Sequence, residues 1–243
     1  VNIGTWSMID KRVSSVAEAV ADIGDGAGVL VSGFGEAGSP TELLHALIDH
    51  GAKELTVVNN NAGNGHIGLA ALLETGRVRK VICSYPRSSH SEVFQSLYTA
   101  GEIELETIPQ GTLAERMRAA GAGIGGFYTP TTVGTILAQG KESRVIEERE
   151  YVLEMPLRAD FALVKAETAD RWGNLTYRLA ARNFGPVMCM AADVTIVQVR
   201  RFAELGAIDP ETVVTPGIFV NRVAEVPDPI SERAAIQRGD TYP

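Results

Sequence analysis

The stretch "VLVSGFGEAGSP" (29–40) carries Gly33, Gly35 and Gly38 in G-x-G-x-x-G spacing, after a strand-like apolar run and before a helical pattern. Glycines so placed form a dinucleotide site only when a helix N-terminus meets the pyrophosphate and an acidic residue about 20 positions on takes a ribose hydroxyl. Neither condition is met. "SPTE" (39–42) predicts an N-cap at Ser39, Pro40 at the first helical position and Glu42 closing a capping box, so the helix starts beyond the third glycine. The next strand-like run, "KELTVVNNN", ends in Asn59, Asn60 and Asn61 where the carboxylate would stand. The glycines then serve either a tight strand-to-helix turn or close approach of a ligand to the backbone.

Outward from this stretch, apolar β-branched runs alternate with helical ones from Gly28 to about Gly121: "GVLVSGF", "SPTELLHALIDHG", "KELTVVNN", "GLAALLETG", "RKVICSY", "HSEVFQSLYTAG", "IELETIPQ" and "TLAERMRAAG". Strand–helix units in succession predict an α/β fold, an open and mostly parallel sheet with helices on both faces. Gly51, Gly76, Gly101 and Gly121 are placed as helix stops. "GAGIGGFYTPTTVGT" (121–135) reads as a long loop, and loops of that length in compact domains are usually functional. The second half reads as paired short antiparallel strands, "RVIEEREYVLEMPL" and "ADFALVKAETADRWGNLTYR", with a hairpin turn at Trp172-Gly173-Asn174. A helix over "FGPVMCMAA", a buried strand "VTIVQV" and an extended "VVTPGIFVNRVAEV" follow. Residues 10–226 are expected to form one domain, and the Pro-rich, charged tail 227–243 a loose arm.

Composition narrows the function. A net charge of −8 without a basic run argues against a nucleic-acid partner. The opening "VNIGTWSMIDKRV" lacks an apolar stretch of signal-peptide length and no segment suits a membrane span, so the expected compartment is the cytoplasm. Cys83 and Cys189 lie in apolar surroundings without metal-ligand spacing and read as buried, reduced core residues. His45 and His50, five apart on one helix, read as surface residues, and His66 and His90 as single loop histidines; no metal site is expected.

In an open parallel sheet ligands gather beyond the carboxyl ends of the strands. That edge should carry Gly33–Gly38, "NNNAGNG" (59–65), "SYPRSSH" (84–90) and "PQGT" (109–112), loops rich in small and amide residues. They offer N–H groups to a negative or developing negative charge, although Asn and Gly are also ordinary turn residues. No Ser/His/Asp order, Cys/His pair or carboxylate pair accompanies them. The set reads as an oxyanion-friendly half-site without its nucleophile.

These blocks resemble the family I coenzyme A transferases from about Asp10 to Val226. "DGAGVLVSGFGEAGSP" is similar to that family's glycine-rich signature, and "PQGTLAERMRAAGAGIGGFYTPTTVGT" to its second hallmark block. "NNNAGNGHIGLAALL", "EMPLRADFALVKA", "DRWGNLTYR", "AARNFGPVM" and "TPGIFV" resemble the A (α) subunits, and the "SYPRSS" loop their 3-oxoadipate branch. Ser32 stands where the signature usually has glycine, and Glu36 where it is usually neutral. The nucleophilic Glu of the family lies on the B (β) subunit in a Ser-Glu-Asn-Gly-like context that Glu92, preceded by Ser91 but followed by Val93 and Phe94, does not match.

The resemblance implies a ping-pong transfer of CoA from succinyl-CoA to a 3-oxo acid, 3-oxoadipate in that branch, by an α2β2 assembly. It implies no permanently bound cofactor, the CoA thioester being substrate. Gln110 would be the oxyanion donor, unless it merely caps the next helix. Gly33, Phe34, Gly35, Gly38, Asn60, Asn61, Gly63 and Gly111 would line the substrate and CoA site. Arg87 would take the distal carboxylate of a dicarboxylic acid, unless it is a solvated surface residue. An acetoacetate- or acetate-type transferase subunit, or a CoA-ester hydrolase or lyase of the same fold, are the alternatives.

Overall fold

Strand β2 (Gly28–Val31) is apolar on both faces because both faces are covered: Val29 and Val31 enter one core and Leu30 the other. The computed structural model describes residues 8–242; residues 1–7 of the opening and the final Pro243 lie outside the described residues. From β2 the chain runs through α2 (Thr41–His50), β3 (Leu55–Val58), α3 (Leu69–Glu74), β4 (Val78–Cys83), α4 (Glu92–Ala100), β5 (Glu104–Thr107) and α5 (Gln110–Gly121), preceded by β1 (Arg12–Val13) and α1 (Val16–Val20). Then follow β6 (Phe127–Thr129), β7 (Ser143–Ile146), β8 (Arg149–Glu154), β9 (Ala159–Ala169), β10 (Leu175–Thr176), α6 (Gly185–Ala191), β11 (Ala192–Phe202), β12 (Arg222–Glu225) and α7 (Glu232–Arg238).

The main sheet has the order β1-β12-β11-β9-β2-β3-β4-β5, parallel throughout except that β10 folds back antiparallel on β9. The expected α/β architecture is present. One core packs α1 to α4 against one face; the other packs α5 and α6 against the opposite face. Sequence neighbours proceed outward from β2 in one direction, whereas β9, β11 and β12 build in the other. The order therefore reverses between β2 and β9, and such a switch point opens a crevice at the carboxyl edge.

Several expectations change. Ser39 does not cap α2; Pro40 precedes its first residue without a side-chain cap, and Gln198 Oε1 on β11 accepts from Leu43 N–H at 3.2 Å instead. Gln198 Nε2 also donates to Glu42, which leaves that carboxylate no part in a capping box. "ADFALVKAETA" is not half of a short antiparallel pair but the long β9, parallel to β2 and β11. Its two-residue partner β10 supplies the expected hairpin at Trp172–Asn174. The other antiparallel pairing of the second half, including the expected strands of "RVIEEREYVLEMPL", forms a separate small sheet, β6-β8-β7. The predicted loop 121–135 contributes β6 to it. Its β7–β8 turn is made by Glu147 and Glu148, both at positive φ (49° and 63°), the conformation a two-residue hairpin demands but one these residues do not advertise. His45 is buried, and the tail 227–243 is not loose within its described residues, since it forms α7 and packs back on the body.

Leu163 sits fully buried in the middle of β9, paired with Val31 and Ile196. Leu163→Ala is expected to cost about 2–5 kcal/mol of unfolding free energy, measured by denaturant titration; a loss below about 1 kcal/mol would show that the site can collapse.

Candidate active site

The loop leaving β2 is closed on itself and pinned from three sides. Phe34 and Ala37 exchange two backbone hydrogen bonds, 3.0 and 3.2 Å, around Gly35 and Glu36. Ser32, fully buried, donates to Gly38 O at 2.8 Å and accepts from Lys165 N–H at 3.1 Å. The hydroxyl that departs from the usual glycine thus ties the two ends of the loop together and to β9. Asn183 takes the Gly33 N–H on its Oδ1 (3.2 Å) and donates Nδ2 to Ala37 O (2.8 Å). Gly38 has φ +78°, and a Cβ there would lie 2.5 Å from Ala181 O, so only glycine permits this contact. Glu36 does not stand free: its carboxylate accepts from Asn64 Nδ2 at 3.0 Å. Among the described residues the N–H groups of Gly35 and Glu36 meet no acceptor.

The asparagine run divides its labour. Asn59 reaches back to Val31 O (2.7 Å) and accepts from Asn61 N–H (2.8 Å), and Asn61 accepts from Gly63 N–H (2.9 Å). Asn60, 3% exposed, joins the other two loops: its Oδ1 accepts from Ser84 Oγ at 2.7 Å and from Gln110 Nε2 at 2.8 Å. Gln110 opens α5 without capping it, so the capping reading of this side chain falls away. One of its amide hydrogens is spent on Asn60 and orients the side chain; the other is available on an exposed residue at the positive end of a 12-residue helix.

The structure brings Gly33–Gly38, Asn60 and Gln110 to one sheet edge, with exposed Gly111 behind Gln110 on the first turn of α5. Phe34 is half-exposed at the loop tip. Asn61 and Gly63 sit lower. They line a buried cavity of about 10 Å³ beneath the loop, and a Cβ on Gly63 would lie 2.5 Å from Ala70 N, so this glycine serves the packing of α3. Arg87 is exposed on the β4 loop and makes no ion pair among the described residues. That loop is held by Ser88 donating to Asn64 and by Gly65 N–H to His90 O at 2.7 Å. Sequence reasoning did not single out Asn183, Ser84, Asn64 or Glu232 as supporting residues: the first three lie within quoted motifs but act on distant partners, and Glu232 lies in the tail with no motif to mark it.

Burial pushes both Cys83 and Cys189 thiols up to about 12, which leaves them inert. Burial also raises the Glu232 carboxyl to about 7, against the pull of hydrogen bonds from Ser39 and Thr41. A pocket of about 540 Å³ opens on the other side of the glycine loop, at the β2/β9 switch point, with Lys165, Arg178, Arg200 and Arg233 among its walls. Among the described residues no group of three His, Cys, Asp or Glu side chains is placed to hold a metal ion, and no helix is long and apolar enough to cross a membrane.

Residues 13–226 match the Coenzyme A transferase family, and the chain belongs to it. It is 63% identical over 219 residues to the A (α) subunit of the 3-oxoadipate CoA-transferase of Pseudomonas putida, covering 90% of this chain and 95% of that one. The corresponding subunit of the succinyl-CoA:3-ketoacid coenzyme A transferase of Xanthomonas campestris is 47% identical over 233 residues, covering 95% and 96%. Among solved structures, an acyl-CoA transferase from Escherichia coli O157:H7 shares the fold with a TM-score of 0.79 at 24% identity, over 91% of this chain and 48% of its own. The present chain thus spans about half the length of that enzyme.

The raised Glu232 carboxyl has a consequence for stability. A group whose folded value lies above its unfolded one stabilises fully below the unfolded value, and that contribution fades as pH rises through the folded one. Relative to Glu232→Gln, the unaltered chain is expected to lose stability between about pH 4.5 and 7. Thermal melts of both proteins across that window measure it; parallel curves would mean that the carboxyl is solvated.

Proposed function

We propose that this chain is the α subunit of a CoA-transferase that moves CoA from succinyl-CoA to 3-oxoadipate, with the nucleophilic glutamate supplied by a β subunit in an α2β2 assembly. The observation that carries the reading is the 63% identity to the α chain of a 3-oxoadipate CoA-transferase over nearly the full length of both proteins. The site supports it by its composition: amide and backbone donors converge on an edge that holds no nucleophile with its base.

The chemistry suits such an edge. The partner's carboxylate attacks the thioester carbonyl, and collapse of the tetrahedral oxyanion releases CoA thiolate and leaves a mixed anhydride. The thiolate attacks the glutamyl carbonyl, releasing succinate and forming a glutamyl-CoA thioester. The acceptor carboxylate then displaces the thiolate to give a second anhydride, and the thiolate returns to the acceptor's acyl carbon, restoring the glutamate. No step requires a proton, so the α subunit needs donors rather than acids or bases. Gln110, oriented by Asn60, serves the oxyanion, and Gly33–Gly38 let the thioester approach the backbone. Exposed Phe34, Tyr85 and Leu179 on loops of this edge offer apolar surface for the β subunit. Arg87, exposed and without an ion pair among the described residues, is the candidate for the distal carboxylate of 3-oxoadipate.

Transfer from succinyl-CoA to 3-oxoadipate is expected only when this chain is combined with its β partner. Activity of the chain alone, or acyl-CoA consumption by the complex beyond one equivalent per site without an acceptor acid, would refute the assignment. In the assembled complex Gln110→Ala should lower kcat by about 10²-fold, with unchanged turnover counting against its oxyanion role. Arg87→Ala should raise KM for 3-oxoadipate by about tenfold or more while sparing acetoacetate; equal effects on the two acids would remove Arg87 from substrate choice.

A further inference from the structure

The chain beyond residue 226 lies outside the matched family region, yet it folds back across the elements that carry the glycine loop. Ile230 N–H donates to the Glu42 carboxylate at the start of α2. Farther on, Ile236 packs against Gly65, Thr241 bridges His66, and Tyr242 donates its N–H to His66 O at 2.9 Å. The Tyr242 ring stacks on buried His45 at 3.7 Å and its hydroxyl donates to Asp49. Residues 229–242 form a strap over the exits of β2 and β3.

Glu232 is the polar centre of this strap. Its Oε1 accepts from Ser39 Oγ and, at 2.8 Å, from Thr41 Oγ1, both on buried residues immediately after the glycine loop. Gly68 makes the room, since a Cβ there would collide with the carboxylate. The same carboxyl closes the water-sized cavity beneath the loop, together with Ser32, Gly35, Ser39, Asn59, Asn61 and Asn64. Lys165 on β9 and Glu36 on the loop are the charges that bear on it, while Glu42 on α2 is occupied by Gln198 and Ile230. A buried hydroxyl that loses its acceptor forfeits its hydrogen bond and keeps its desolvation cost. Loss of Glu232 therefore frees the exit of the glycine loop at two adjacent points.

We propose that Glu232 is a positioning residue: through Ser39 and Thr41 the C-terminal strap sets the glycine loop in the conformation that receives the thioester. The inference rests on the proposed function for its role in turnover, but not for the mechanical link between strap and loop.

That link is read directly by hydrogen–deuterium exchange of the chain. Peptides covering Gly33–Thr41 should exchange faster in Glu232→Ala than in the unaltered protein, and Glu232→Gln, which keeps the accepting oxygen, should restore protection. In the complex with its β partner, Glu232→Ala should lower kcat about tenfold or more with KM for acyl-CoA and acceptor nearly unchanged, and Glu232→Gln should recover most of the rate. Thr41→Val, which removes one donor at constant shape, should give a smaller loss that adds little to Glu232→Ala, since both act through one contact. Equal exchange in all three proteins, full turnover by Glu232→Ala, a Gln variant as slow as the Ala variant, or additive losses would overturn the proposal. An unaltered complex with no transfer activity would count against the proposed function, and the exchange comparison would still decide the role of the strap.

Discussion

The register between β2 and β9 is the constraint on which the rest of the molecule depends. Val31 pairs with Leu163, Ser32 N–H continues the ladder to Leu163 O at 2.9 Å, and the Ser32 hydroxyl then accepts from Lys165 N–H. A parallel pair of this kind joins residues about 130 positions apart, so it holds only because both faces are covered by helices that exclude water from the ladder. It brings the two halves of the sheet together, creates the switch point, and fixes where β2 stops. The glycine loop leaves the sheet at that stop, with one end tied to the other through Ser32 and Gly38.

The edge built around that exit is rich in neutral polar groups, with the carboxylates of Glu36 and Glu232 each held by hydrogen bonds from them. Asn59, Asn60, Asn61, Asn64, Ser32 and Ser39 are all buried and all hydrogen-bonded. Neutral amides and hydroxyls can be desolvated at modest cost when every partner is in place, whereas buried charges would need counter-charges of their own. Such a network suits a reaction in which negative charge appears and disappears on oxygen and sulfur without proton transfer. Donors already fixed by other hydrogen bonds, as Gln110 is by Asn60, need little reorganisation when that charge develops. On the proposed reading, the chain supplies the prearranged environment and its partner the reactive carboxylate.

Much of this was legible in the amino-acid order. The alternation of β-branched and helical runs over residues 28–121 announced the parallel half of the sheet, and the loops at its carboxyl edge followed from that alternation. The late helix start and the Asn59–Asn61 run argued against a dinucleotide site; α2 does begin at Thr41, beyond Gly38, but not through the cap assigned to Ser39, whose hydroxyl serves Glu232. The second half was harder. "ADFALVKAETA" has the alternation of a half-exposed antiparallel strand because Lys165 and Glu167 on one face line the pocket at the switch point, whereas Phe161 and Leu163 on that face enter one core and Ala162, Val164 and Ala166 the other. The tail looked loose because its few apolar residues are widely spaced, Ile236 finding its niche at Gly65 and Tyr242 on His45, with Ala235 buried beside Ile236.

What the sequence determined by itself is therefore the local and periodic: element type, the parallel class of the sheet, and the glycine and amide composition of the loops at its edge. These follow from short-range sterics and from the period at which apolar residues recur. Only the tertiary structure decided the insertion of β9 beside β2, the union of Asn60 with Ser84 and Gln110, the anchoring of the loop by Asn183, and the return of Glu232 to Ser39 and Thr41. Each of those joins residues 24 to 193 positions apart. Such contacts form where burial makes a missing hydrogen-bond partner costly, and burial is a property of the folded whole rather than of any stretch of chain.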